Sequence, residues 1–219
     1  PDHGLIRGSG VVANLGDGGL SNNVIDPSFG QFMSFDGRAG RREFPSSLMG
    51  AVALVRQTLS DAQWQNQARN AWALDPAQPR PQWFEGLDEL ATTINGGTPM
   101  VFESQDLLDT LRIQEFISSN EIRLAIVGHG QEYQRLDAIA SGEELHIIPL
   151  NFPPAPDVKD ENDLNVSLES LRHWNNAPNN PKQVHEAGMS MIFTSHGLGQ
   201  PTDFLKHLAQ AVERGLDPD

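Results

Sequence analysis

The sequence contains no cysteine. Disulfides and thiolate-held metal are excluded, and the compartment is left open, because a chain without thiols suits oxidising and reducing surroundings alike. No apolar run approaches the ~20 residues that a membrane-crossing helix needs, and no basic-then-apolar leader stands at the start. The chain begins at Pro1 without a methionine, which leaves room for a leader or an upstream domain. Positive charge is scarce: 15 Lys and Arg against 29 Asp and Glu give a net charge of −14 and a pI near 4.7. That balance argues against non-specific nucleic-acid binding, which needs a basic face, and gives no reason for attraction to an anionic membrane surface. His-x-His and His-Glu-x-x-His are both missing, although a metal-holding chain usually shows at least one tight ligand pair. Gly-x-Ser-x-Gly is missing as well, which removes the nucleophile elbow of a serine hydrolase.

What is present is a strand-to-helix unit, repeated. The 219 residues, 38% of them hydrophobic, suffice for one large domain or two small ones. Residues 1–45 are glycine-rich, with candidate strands at Val11–Leu15 and Phe32–Phe35 and a basic loop from Arg38 to Arg42. The spacing predicts a helix over 46–73, capped by Ser46 or Ser47, with Leu48, Val52, Val55, Leu59 and Ala62 on its inner face. Trp64, Trp72, Trp83 and Phe84 are expected to pack that helix and its exit loop. A short helix, Leu87 to Ile94, closes at Asn95-Gly96-Gly97.

From there strands at 99–102, 123–127, 145–148 and 189–194 alternate with helices at 106–118, 131–140, 167–174, 182–187 and 202–214. This alternation implies a parallel sheet in an α/β fold. Eight strands and about 250 residues make a (β/α)8 barrel; the expectation here is an open sheet or an incomplete barrel. The proline- and acid-rich stretch 151–163 is longer than an ordinary connection, which marks it as functional or mobile.

In parallel barrels the chemistry sits where strands end. Those lips here carry Glu103-Ser104, His129 within Gly128-His129-Gly130, the Asn151 loop, and Ser195-His196. Two histidines and a carboxylate converging on one point can hold a divalent metal such as zinc, or serve as an acid–base pair. The plainer reading of His129 is a histidine bonded to a neighbouring carbonyl. His3, His146, His173, His185 and His207 read as ordinary surface or core residues.

The order of these units resembles the imidazolonepropionase-like branch of the amidohydrolase superfamily, metal-dependent hydrolases on a distorted (β/α)8 barrel. Gly8 to Gly16 resembles the early glycine-rich turn and strand. Gln31 to Phe35 with Arg41 to Gly50 resembles the strand, basic loop and helix start that follow. Pro99 to Ser104 resembles the strand of the "His-Ala-His" unit, Arg123 to Tyr133 the "His-Gly-x-Glu" unit, and Met189 to Ser195 the last strand, which in active members ends in Thr-Asp. The resemblance spans nearly all 219 residues and implies a partial TIM barrel, with 1–219 a single barrel domain or a fragment of one. It also implies hydrolysis of C–N bonds with zinc or another divalent metal.

The departures are as informative. Phe102 stands where a ligand histidine belongs, Ser104 at the second histidine and Ser195 at the catalytic aspartate. His129 alone matches a metal-ligand position, with Glu103, Ser195 and His196 left as improvised catalytic groups. A phenylalanine cannot ligate a metal, and a hydroxyl has no basicity near pH 7. Two readings follow: a fragment of a longer hydrolase with unusual ligands, or a degenerate, non-catalytic barrel domain serving as scaffold or binding module. A small-molecule binding protein with 151–163 as its lid is a third. An incomplete barrel exposes apolar edge or interior, so a partner chain or a second copy is expected to cover it.

Overall fold

A computed structural model describes residues 4–36, 44–118, 122–156 and 165–218. The basic loop Arg38 to Arg42, His3 and much of the 151–163 loop lie outside the described residues. The fold is mixed α/β, and the chain divides into two compact units: 1–103 with 120–124, and 104–119 with 125–219.

The first unit holds β1 (Ile6–Ala13), α1 (Leu20–Asn23), β2 (Val24–Ser34), α2 (Leu48–Leu74), α3 (Glu85–Asn95) and β3 (Met100–Glu103). β2 and β3 run parallel, with Met33 opposite Phe102, whereas β1 and β2 form an antiparallel hairpin. The alternation of strands and helices predicts parallel pairing throughout, and β1–β2 departs from it. Their connection is too short for a crossover, so the second strand must run back along the first.

α2 begins where expected. Ser47 is extended and its hydroxyl accepts the Gly50 N–H at 3.1 Å, which satisfies one orphan amide of the first turn. Asp75-Pro76 ends it, as the residue before a proline avoids helical geometry. Its buried stripe is Ala51, Val55, Leu59, Ala62 and Gln65, while Leu48 is exposed. The tryptophans also depart from expectation. Trp64, Trp83 and Phe84 are half or more exposed. Arg69 lies 5.0 Å over Trp83 and Arg80 lies 5.5 Å over Trp72, so cations rather than core cover two of the rings.

The second unit holds α4 (Leu107–Ser118), β4 (Leu124–Val127, all but its first residue), α5 (Leu136–Ile139), β5 (Leu145–Pro149), α6 (Leu168–Asn176), α7 (Asn180–Glu186), β6 (Met191–Thr194) and α8 (Phe204–Glu213). β4, β5 and β6 are parallel, with Val127 opposite Ile147 and Ile148 opposite Phe193. Ile139, Ile148, Val184 and Met189 form a buried cluster flanked by Leu107, Leu111 and Phe193. Continuous apolar strands are what a parallel sheet requires.

The helix expected over 131–140 is broken. The chain makes a 3-10 turn at Glu132–Gln134, then the single turn of α5, with Arg135 at φ −146° between them. The cause is Glu132, whose carboxylate turns back into the protein. The Pro178 and Pro181 stretch, in contrast, does not break the chain's helical course: a 3-10 turn at Ala177–Asn179 joins α6 to α7, each proline near a first-turn position where no N–H is needed.

Candidate functional site

The loop after β4 is built on one buried carboxylate. Glu132 is 1% exposed. Its Oε1 accepts the backbone N–H of His129 at 2.8 Å and of Gly130 at 3.1 Å, and its Oε2 accepts Asn180 Nδ2 at 2.5 Å. Asn180 in turn accepts the Tyr133 N–H on its Oδ1 at 2.9 Å. A side chain at position 128 would put its Cβ 2.2 Å from Glu132 Oε1, so Gly128 is the residue that lets the carboxylate in. Gly130 (φ +83°) and Gly197 (φ +76°) occupy left-handed backbone. Cβ atoms there would fall 3.3 Å and 2.7 Å from the two ends of the Asn151 amide. The lips of β4, β5 and β6 thus meet around Asn151.

His129 projects from this loop with its side chain 8% exposed and Nδ1 3.5 Å from Glu132 Oε1. Among the described residues neither ring nitrogen has a hydrogen-bond partner, and both are buried. The bond to a neighbouring carbonyl expected of a plain structural histidine is not made. Buried polar atoms are nearly always paired, so an imidazole left open twice over stands out.

His173, on α6, joins this group. Its Nδ1 lies 3.3 Å from the Tyr133 hydroxyl, and the two rings stack at 6.3 Å. Burial pushes the His173 pKa below its ordinary value of 6.5; the charge of His129 pushes it further down, and Glu132 pulls the other way. An imidazole held low takes up its proton later in the folded chain than in the unfolded one, so its contribution to stability is lost as the pH falls below about 6.5. In an NMR titration of the imidazole signals, His129→Ala is expected to raise the His173 midpoint; an unmoved or lowered midpoint would refute the coupling.

The remaining predicted residues are placed as follows. Ser195 and His196 are exposed at the lip of β6, where the His196 N–H donates to Thr194 Oγ1 at 3.1 Å. Glu103 lies in the first unit and pairs with Arg7 at 2.5 Å. Ser104 bonds Thr110 Oγ1 at 2.7 Å and the Asp106 carbonyl at 2.8 Å, closing the start of α4. Phe102 is 0% exposed with its ring 5.1 Å from Phe35.

Sequence reasoning passed over Asn180, Tyr133 and His173, and gave Glu132 no role. The nearest signal was Gly-His-Gly followed two residues later by a glutamate. His207 makes the bond of a structural histidine: its Nδ1 meets the Leu150 carbonyl at 2.5 Å and its ring stacks on Phe152 at 5.4 Å. His146 pairs with Glu144 at 3.7 Å. Burial alone would raise the Glu144 carboxyl; the neighbouring His146 and a hydrogen bond from Gln114 outweigh it, leaving the pKa below its ordinary 4.5.

Zinc wants three or four protein ligands. The His129 imidazole is open, but the Glu132 oxygens already serve two backbone amides and Asn180, and His173 Nδ1 faces Tyr133. Among the described residues no three His, Asp or Glu side chains are grouped to hold a metal ion. These residues do not fit a zinc centre.

No family model matches the sequence, and no curated protein matches it. Among solved structures, an amidohydrolase from Thermotoga maritima MSB8 is similar, with a TM-score of 0.70 at 12% sequence identity, over 97% of this chain and 54% of that one. The chain spans about half the length of the amidohydrolase it matches. A likeness at that identity concerns the fold, which is amidohydrolase-like along nearly the whole chain. No helix among the described residues is long and apolar enough to cross a membrane.

Proposed function

We propose that this chain is a non-catalytic, amidohydrolase-like domain, a partial (β/α) barrel of the imidazolonepropionase-like branch that acts as a scaffold or binding module. The observation that carries this reading is the state of Glu132. The acidic side chain nearest the family's ligand histidine is spent on holding its own loop, so the loop around His129 is organised for shape rather than for ligating metal. Phe102 as core and Ser104 as a helix-start bond support the same reading, since both stand at positions where the sequence resemblance implies ligands. Exposed apolar residues, Ile25 on the hairpin with Met49 and Leu74 on α2, support a partner chain or a second copy lying against this protein.

The open imidazole of His129 favours a second reading, a portion of a longer C–N hydrolase whose other ligands come from elsewhere in that protein. Metal analysis of the chain tests the first reading. After incubation with zinc and dialysis, the 219-residue protein is expected to retain less than about a tenth of an equivalent, because one imidazole does not reach the three or four ligands of a protein zinc site. Retention near one equivalent, lost in His129→Ala, would overturn the non-catalytic reading.

A further inference from the structure

The first unit contains a cavity of about 560 Å³ that none of the foregoing uses. Its volume falls in the range of small-molecule sites, ~300–1,000 Å³. Ile6, Leu87 and Leu90 supply apolar wall, and Phe84 stands at the rim with its ring half exposed. That ring is mounted on fixed backbone: buried Gln65 donates to the Phe84 carbonyl and accepts its N–H, both at 2.9 Å. The result is an apolar slot with an aromatic edge carried on anchored backbone.

The polar groups in the slot are of unlike kinds. Arg7, with its side chain 18% exposed, brings a positive charge into the cavity of a chain whose net charge is −14. Its geometry is set from behind. Nη1 is paired with Glu103 at 2.5 Å and Nε donates to the Gly4 carbonyl at 3.3 Å. Nη2 makes no hydrogen bond among the described residues, and a guanidinium fixed on two sides keeps that third edge ready for a planar acceptor. α3 starts at the same cavity with Glu85 and Asp88 in its first turn, so the positive charge offered to a ligand is that of Arg7 alone. Glu89 also lines the cavity and disfavours a second negative charge on whatever enters.

We propose that this cavity binds a small monocarboxylate with an apolar, ring-sized body. The ring lies between Phe84 and the Leu87–Leu90 wall, and the carboxylate takes the remaining N–H edge of Arg7. Glu103 serves as the residue that positions Arg7. This site is independent of the His129 loop, and it stands or falls whether or not the barrel is catalytic.

The test is a calorimetric titration of the full chain with 1-naphthoate and with the uncharged 1-naphthylmethanol, which shares its ring. A charge-assisted hydrogen bond should make the acid bind about tenfold or more tighter than the alcohol. Arg7→Gln should bring the acid down to the level of the alcohol. Gly86→Trp should weaken both about tenfold, because a Cβ at Gly86, a cavity-lining position, meets no atom within 4 Å and a ring there can fill the slot without displacing backbone. Equal affinity for acid and alcohol, an Arg7→Gln protein within about twofold of the parent, a Gly86→Trp protein that still binds, or no binding of either probe at about 1 mM would each overturn the proposal. Should Arg7→Gln fail to fold by circular dichroism, the acid-to-alcohol ratio and Gly86→Trp decide it with the Arg7–Glu103 pair intact.

Discussion

Glu132→Ala is expected to destabilise the folded chain by roughly 3–5 kcal/mol. Truncation leaves the amides of His129 and Gly130 and the side chain of Asn180 without the acceptor they share. Among the described residues none of the three is bonded to a second acceptor, and the carboxylate they surround is 1% exposed. Each orphaned donor carries its own desolvation penalty, about 1–3 kcal/mol, which is why the expected sum is large. Glu132→Gln keeps the shape and one carbonyl oxygen but turns an N–H toward a donor, so its loss should lie between those of the parent and of alanine. Urea unfolding at neutral pH checks both. A shift below about 1 kcal/mol for the alanine variant, at the low end for even one orphaned donor, would refute the account of this loop.

Phe102→Ala is expected to cost about 3–5 kcal/mol, the usual range for removing a fully buried ring. The side chain is 0% exposed and its ring packs 5.1 Å from Phe35, with Met33 opposite it on β2. Phe102→His bears on function as well. It introduces the residue type that the sequence resemblance implies for an active hydrolase, yet it buries a polar ring among apolar neighbours, so it should destabilise without conferring zinc retention. Thermal unfolding with and without zinc reads this directly. A stabilisation by zinc of more than about 1.4 kcal/mol, a tenfold effect on the folding equilibrium, would contradict the placement of Phe102 in the core.

The elements legible in the sequence are those written in local pattern. The Ser47 cap, the proline after Asp75, and the apolar strands at 100–103, 124–127, 145–149 and 191–194 all reflect forces acting within a few residues. Features set across distance were not legible. The inner face of α2 turned out to include Ala51 and Gln65, because what counts as inner is decided by α3 and its approach, where Gln65 clamps Phe84. The exposure of Trp64 and Trp83 had the same origin: a tryptophan reads as core in any window, and only the packed neighbours determine whether room exists.

The candidate site divides along the same line. Glycines bracketing a histidine after a buried strand are a local signal, and they drew attention to residues 128–130. Glu132 and Asn180 are 48 positions apart, and Arg7 and Glu103 are 96 apart; no window holds either pair. His173 looked like an ordinary helix histidine because its partner Tyr133 comes from a distant loop.

By itself the sequence determined the mixed α/β character, the Ser47 start and Asp75-Pro76 stop of α2, the absence of thiol chemistry and the absence of tight metal-ligand pairs, since these depend on composition and on neighbours in the chain. Tertiary structure alone decided that Glu132 holds a loop, that the His129 imidazole stays open, that β1 returns antiparallel on β2, and that Arg7 faces a cavity. The physical reason is that hydrogen bonding and burial are settled by what the fold brings within about 3–4 Å, and that distance is blind to separation along the chain.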